Sequence, residues 1–221
     1  MVRIIGLTGP IACGKSAVTE RLIAAGCGVV DADRITHQLY ADQTGAFHRR
    51  VVEALGSDVL AGDGSIDRQK VSALVFSDRS KLRALNRATH SLITWEVVSQ
   101  TVKLMFRGHR RIVLDVPLLL KFPRLRRLCV STVVVVYASP DVQLKRLMAR
   151  NSLSEEEALQ KISSQSTAEE QRQAADRVID NSGDLESLDA SVRDFLNSQP
   201  KGWTMLEVAL SCLAVAAAIL G

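Results

Sequence analysis

The stretch "GLTGPIACGKSAVTE", Gly6–Glu20, decides the fold. Inside it, Gly9-Pro-Ile-Ala-Cys-Gly14-Lys15-Ser16 matches G-x-x-x-x-G-K-[ST]. The flanks agree with the letters. "VRIIGLT", Val2–Thr8, is a short apolar run that reads as a buried strand. "KSAVTERLIAAG" puts Val18, Leu22 and Ile23 at helical spacing and closes on Gly26. Between a strand and a helix, glycines let the backbone curl until its N–H groups converge on one point. The helix N-terminus adds partial positive charge there. Lys15 is placed to reach β and γ phosphates, and the Ser16 hydroxyl to ligate Mg²⁺. Gly9, Pro10, Ile11, Ala12, Cys13, Gly14, Lys15 and Ser16 are therefore expected to hold a nucleoside triphosphate with magnesium. The loop alone leaves ATP and GTP open. The sequence has no N-K-x-D, with which GTPases read guanine.

The rest of the chain alternates strand and helix patterns. "GVVDAD" (Gly28–Asp33) reads as a second strand, and residues 34–108 as mostly helical, with turn chemistry at "GSDVLAGDGSID". "RIVLDVP" and "STVVVVYAS" are nearly continuous β-branched runs, the pattern of a parallel sheet covered on both faces. Helices are expected over Pro140 to about Arg150, Ser154 to about Ala175 and Asp184–Asn197, with a fifth strand in "DRVIDNSG". This order predicts an α/β fold, a doubly wound parallel five-stranded sheet. Ligands in such sheets sit at the carboxyl ends of the strands. Here those ends carry the loop, Asp33, Asp115 and Asn181.

Two aspartate positions stay ambiguous from spacing alone. Asp115 ends an apolar strand, as a carboxylate holding the Mg²⁺ shell through water would, or as a turn or capping aspartate would. Asp31 and Asp33, two apart, line the same face if their strand continues. One of them, facing the loop, would be suited to orient an acceptor hydroxyl and take its proton. Equally, an aspartate here caps a helix starting near Arg34.

Composition narrows the partners. The 221 residues carry a formal charge of +4, spread along the chain, and 4% aromatics, few for a protein that stacks single-stranded bases. No nucleic-acid partner is expected. The cysteines, Cys13, Cys27, Cys129 and Cys212, form no C-x-x-C pair, which fits a reducing compartment and a cytoplasmic location. Cys13, beside Lys15 and a helix N-terminus, is read either as an activated thiol that ATP shields from thiol reagents or as a buried, inert small residue.

"GLTGPIACGKS", "VVDADRITHQLY", "DGSIDRQKVSALVF", "LNRATHSLI", "VLDVPLLL", "QLKRLMARN" and "ADRVIDNSGDLESL" occur in this order. Together they resemble the dephospho-CoA kinases over about residues 2–195. The resemblance implies a P-loop kinase at 1–198, with a helical substrate-binding insertion at about 34–108 and a lid at about 146–170. It implies transfer of the ATP γ-phosphate to the ribose 3′-hydroxyl of dephospho-CoA, giving coenzyme A and ADP. Asp33 resembles the family's general base, and Lys15 its phosphate lysine. Arg146 and Arg150, four apart on one helix face, are then expected at the triphosphate. Asn181 resembles a position near the adenine of ATP, and His90 a histidine of the substrate insertion. Departures are Pro10, Cys13, Ala17, Ser91 and Lys121, none of which removes the lysine, the magnesium hydroxyl or the base.

The alternatives are another small-molecule P-loop kinase, acting on a nucleoside or nucleotide, and a catalytically idle, membrane-tethered nucleotide scaffold. Residues 199–221 are expected to be a linker and a hydrophobic tail. "WTMLEVALSCLAVAAAILG", Trp203–Gly221, carries one charge, Glu207, near its start. A spanning helix takes about 20 apolar residues, so the tail is expected to anchor the chain to a membrane with the kinase facing the cytosol.

Overall fold

The apolar run ahead of the loop forms β1, Arg3–Thr8, with every residue from Ile4 on buried. In the computed structural model, the described residues are 1–116, 130–165 and 168–198, with Gly202, Thr204, Glu207, Val208 and Leu210. Lys121, Cys129, Cys212 and most of the tail lie outside them. α1 (Lys15–Ala24) follows the loop. Next come β2 (Gly28–Asp31), α2 (Ala32–Ala41), α3 (Ala46–Leu55), a 3₁₀ turn (Ser57–Val59), α4 (Arg68–Ser77) and α5 (Arg79–Phe106). β3 (Arg111–Asp115), β4 (Thr132–Tyr137), α6 (Pro140–Asn151), α7 (Glu155–Ser163), α8 (Ala168–Ala174), β5 (Arg177–Asp180) and α9 (Leu185–Asn197) complete the order. The single helix expected from Ser154 to Ala175 is thus two, α7 and α8.

The strands form one sheet of order β2-β3-β1-β4-β5. β1 pairs in parallel with both β3 and β4, and β4 with β5. Alternate side chains explain the double covering. Ile5, Leu7, Val113, Val134, Val136 and Ile179 share a core with Val18 and Leu22 of α1 and with Leu188, Val192, Phe195 and Leu196 of α9. The opposite set, Ile4, Ile112, Val133 and Val135, is buried as well. That is why these strands read as unbroken apolar runs. Arg21 of α1 pairs with Asp189 of α9 across the first layer.

The chain divides into two units, one of Met1–Val30 with the chain from Val102 on, the other including Asp31–Thr101. The second has its own core: Phe47, Val51 and Leu55 of α3 meet Val59, Ile66, Val71 and Leu85. Tyr40 and Phe47 add an edge-to-face ring pair at 4.9 Å. Its helices start on aspartate caps. Asp31 accepts from the Arg34 N–H, and Asp67 from the N–H groups of Gln69 and Lys70.

No helix among the described residues is long and apolar enough to cross a membrane. At the start of the tail, Thr204 and Glu207 form a reciprocal capping box. The one charge of the tail is therefore engaged at a helix N-terminus.

Leu22 is fully buried between α1, α9 and the sheet. Leu22→Ala is expected to lower unfolding free energy by about 2–5 kcal/mol. Urea titration followed by circular dichroism checks this; a loss below about 1 kcal/mol would place Leu22 outside the core.

Candidate active site

The loop is held by its neighbours on both sides. Gly9 is glycine because a Cβ there would lie 2.7 Å from Cys13 Sγ and 2.7 Å from the Val136 carbonyl oxygen. Gly14 has φ +85°, and its Cβ would meet Asn181 Nδ2 at 2.1 Å. Ala12 also adopts positive φ, 60°, a conformation most residues avoid. These turns alternate the peptide directions, which makes successive N–H groups converge.

Three side-chain amides tie the loop down. Asn181, 5% exposed, donates from Nδ2 to the Cys13 carbonyl at 2.8 Å. Gln143, 3% exposed, donates from Nε2 to the Ile11 carbonyl at 2.7 Å. Gln165 accepts the Ile11 N–H on Oε1 at 3.0 Å. The Cys13 N–H is spent on the Pro10 carbonyl at 3.3 Å. The N–H groups of Ala12, Gly14 and Ser16 have no protein acceptor among the described residues, and that of Lys15 faces the Cys13 sulfur. Three unspent donors at the start of a helix are suited to an anion.

Lys15 stands at the first position of α1 and donates to both carboxylate oxygens of Asp115. The register explains the meeting: Leu7 of β1 lies opposite Asp115 of β3, so the carboxylate ends its strand beside the loop. Asp115 is 5% exposed, and a carboxylate so buried needs a charged partner. The two sequence readings of Asp115 gain a definite content, an ion pair with the loop lysine. Ser16 is exposed at the second position of α1.

Arg146, on α6, donates from Nη1 to the Asn181 carbonyl at 2.9 Å and joins the same cluster. Arg150, one turn on, is exposed and donates from Nε to Asn151 Oδ1 at 2.9 Å. The structure therefore brings together Gly9–Ser16, Asp115, Arg146 and Asn181, with no hydrogen bond from Arg150 to this cluster. Asp33 and His90 belong to the second unit. Both are exposed, Asp33 in the first turn of α2 and His90 in α5. The expected helix start near Arg34 is two residues late. Asp31 is the cap, and its bond to the Arg34 N–H at 2.9 Å turns the strand into a helix at Ala32. Asp33 thus lies in the first turn of a helix and not on a continued strand.

For Cys13 the structure favours the buried, inert reading. Cys13 is 1% exposed, and burial pushes its thiol up to about 11, against the opposing pull of Lys15. Desolvation of the thiolate outweighs the nearby cation. Gln143 and Gln165 were not legible as site residues: isolated glutamines far along the chain carry no spacing signal.

Fold and site together define a P-loop phosphotransferase: a parallel sheet, a phosphate cradle after β1, and a carboxylate beside its lysine. The chain belongs to the dephospho-CoA kinase family, whose family model matches residues 3–187. It is 43% identical over 86% of its length to a zebrafish (Danio rerio) dephospho-CoA kinase domain-containing protein, 82% of which is covered. It is 41% identical over 91% of its length to a dephospho-CoA kinase of Carboxydothermus hydrogenoformans, 97% of which is covered. A crystal structure from Thermus thermophilus superposes with TM-score 0.73 at 29% identity, covering 90% of this chain and 99% of that one. The chain is an ATP-dependent kinase that phosphorylates dephospho-CoA to coenzyme A.

With Cys13 buried and its thiol pushed up to about 11, iodoacetamide at pH 7.5 is expected to leave Cys13 unmodified in the folded protein, with or without ATP. Peptide mass mapping checks this. Rapid alkylation that ATP suppresses would restore the activated-thiol reading.

Proposed function

We propose that the loop cradle binds the ATP phosphates while Asp33 serves the acceptor. The observation that carries this reading is the set of backbone donors without protein acceptors, Ala12, Gly14 and Ser16, around Lys15. The N–H groups of Ala12, Gly14 and Ser16 would take phosphate oxygens, and Lys15 the charge that builds on the transferring group. Lys15 then divides its ammonium between Asp115 and phosphate, and the carboxylate keeps it aimed when no phosphate is near. Arg146, held by Asn181 beside Gly14, adds positive charge on the same side of the loop. Arg150 and Asn181 are assigned to the nucleotide as well, Asn181 through its hold on the Cys13 carbonyl.

Magnesium fits the donors present. Ser16 Oγ is exposed and Asp115 offers a carboxylate, both hard oxygen ligands, with Asp115 acting directly or through water. Among the described residues no three His, Cys, Asp or Glu side chains gather into a metal site, so phosphate oxygens and water would complete the shell. Such an ion supplies charge neutralisation to the triphosphate.

The insertion at about 34–108, most of it in the second unit, is assigned to dephospho-CoA, and residues of about 146–170, in the first unit, to the lid. Support comes from the surface of the second unit. Arg68, Gln69, Ser72, Ala73 and Phe76 line an open depression of about 530 Å³, and Phe76 is 94% exposed. Asp33 makes no hydrogen bond or ion pair with a described residue, since Asp31 has taken the capping role. Its carboxylate is thus available to orient the ribose 3′-hydroxyl and accept its proton. His90 is assigned to substrate contact on the same unit.

Asp33→Asn removes the charge and keeps the size. With ATP, Mg²⁺ and dephospho-CoA, kcat is expected to fall roughly 10²–10⁴-fold while ADP affinity holds. Coupled ADP release and detection of coenzyme A check both. Turnover near wild type would remove Asp33 from the base role.

Residues 203–221 are apolar save Glu207, and the Thr204–Glu207 capping box leaves Val208 onward uncharged. We assign this segment to a membrane anchor, with the kinase on the cytosolic side. Full-length protein is expected in the carbonate-washed membrane fraction, and protein ending at Gly202 in the supernatant with its kinase activity. Full-length protein in the supernatant would end the anchor reading.

A further inference from the structure

One loop residue has both of its backbone polar groups held by side chains from distant elements. The Ile11 carbonyl accepts from Gln143 Nε2 at 2.7 Å, and the Ile11 N–H donates to Gln165 Oε1 at 3.0 Å. Gln143 sits on α6 and Gln165 just past α7, where its own N–H donates to the Ile162 carbonyl. The pair α6–α7 therefore grips the loop at Ile11 from both sides. Gln143 is 3% exposed. Burying a carboxamide is unfavourable unless it is bonded, so its contact with the loop is directed.

The grip has a geometric consequence. In a trans peptide the C=O and N–H point in opposite directions. Drawing the Ile11 carbonyl toward Gln143 turns the next N–H, that of Ala12, the other way. The Ala12 N–H has no protein acceptor among the described residues. Gln165 fixes the preceding peptide, whose Pro10 carbonyl is held in turn by the Cys13 N–H at 3.3 Å. Two successive peptides are thereby set in opposite orientations.

We propose that Gln143 and Gln165 are positioning residues for phosphoryl transfer, a two-point clamp on Ile11 that aims the Ala12 N–H at a phosphate oxygen of the nucleotide. The clamp rests on the phosphate-cradle reading of the loop. It also ties the loop to α6, which carries Arg146, so donor and cation keep a common frame.

The test uses full-length protein with Gln143→Met, Gln165→Met and the double variant, with Lys15→Ala alongside. Methionine keeps the length and removes the hydrogen bond. Each single change is expected to raise the Kd for ADP and the KM for ATP by roughly 2–12-fold, the range for one net hydrogen bond. The KM for dephospho-CoA is expected to stay within about 2-fold. The double variant is expected to lose little more than the worse single, because both glutamines act on one residue; independent contributions would multiply. Amide exchange at Ile11 is expected to speed up in Gln165→Met and to recover in Gln165→Glu, which restores an acceptor. Gln165 is exposed, so these measurements survive even if the Gln143 variant folds poorly. Multiplicative losses, or an equal rise in KM for both substrates, would overturn the clamp. So would ADP affinity unchanged in the glutamine variants and weakened in Lys15→Ala. Unchanged affinity in all of them would overturn the cradle reading with it.

Discussion

The opposed directions of C=O and N–H in a trans peptide govern this site. A loop turns its N–H groups inward only if its carbonyls are turned outward, and a carbonyl turned away from solvent needs a donor there. Asn181 and Gln143 are those donors, for Cys13 and Ile11. The outer wall of the cradle is thus a set of carboxamides from the end of β5 and from α6. The sheet order that puts β4 beside β1 follows the same demand. Its Val136 carbonyl comes so close that position 9 admits only glycine.

Lys15 and Asp115 are the electrostatic part of the same arrangement. A buried carboxylate without a partner is strongly destabilising, so Asp115 and Lys15 depend on each other before any phosphate arrives. Pairing β1 with β3 in parallel brings Asp115 opposite Leu7, a short step from the lysine. Register, not side-chain preference, creates the contact. The pairing also holds a flexible lysine stem in one orientation, and a side chain already ordered loses less entropy on binding a ligand. Cys13 follows the opposite logic: packed into the core, it contributes volume under the loop, and its thiol stays protonated.

Much of this could be read along the chain. The β-branched runs gave four strands to within a residue or two, because both faces of the sheet are buried and the period therefore vanishes. The loop motif identified its own cradle, since its glycines and flanking elements are local. The helix after β2 was misplaced because the cap at Asp31 depends on which of two aspartates meets the Arg34 N–H, a choice that spacing leaves equal. The break between α7 and α8 falls at the Ser-Gln-Ser-Thr stretch of residues 164–167, whose hydroxyl residues disfavour helix interiors; that local signal is outweighed in a reading by the long helical patterns on either side. Arg146 and Arg150 were equivalent by periodicity. Only the fold separates them, with Arg146 reaching the Asn181 carbonyl and Arg150 its neighbour Asn151.

The sequence by itself determined the sheet class, the order of elements and the family, all of which depend on local pattern or on motifs of fixed spacing. The tertiary structure decided what their residues touch. Lys15 and Asp115 are 100 positions apart, and Asn181 reaches Cys13 across 168. No periodicity spans such distances; strand register and the packing of α6 and α7 do. For the same reason the two glutamines on Ile11, silent in the sequence, become visible only when the chain has closed around the loop.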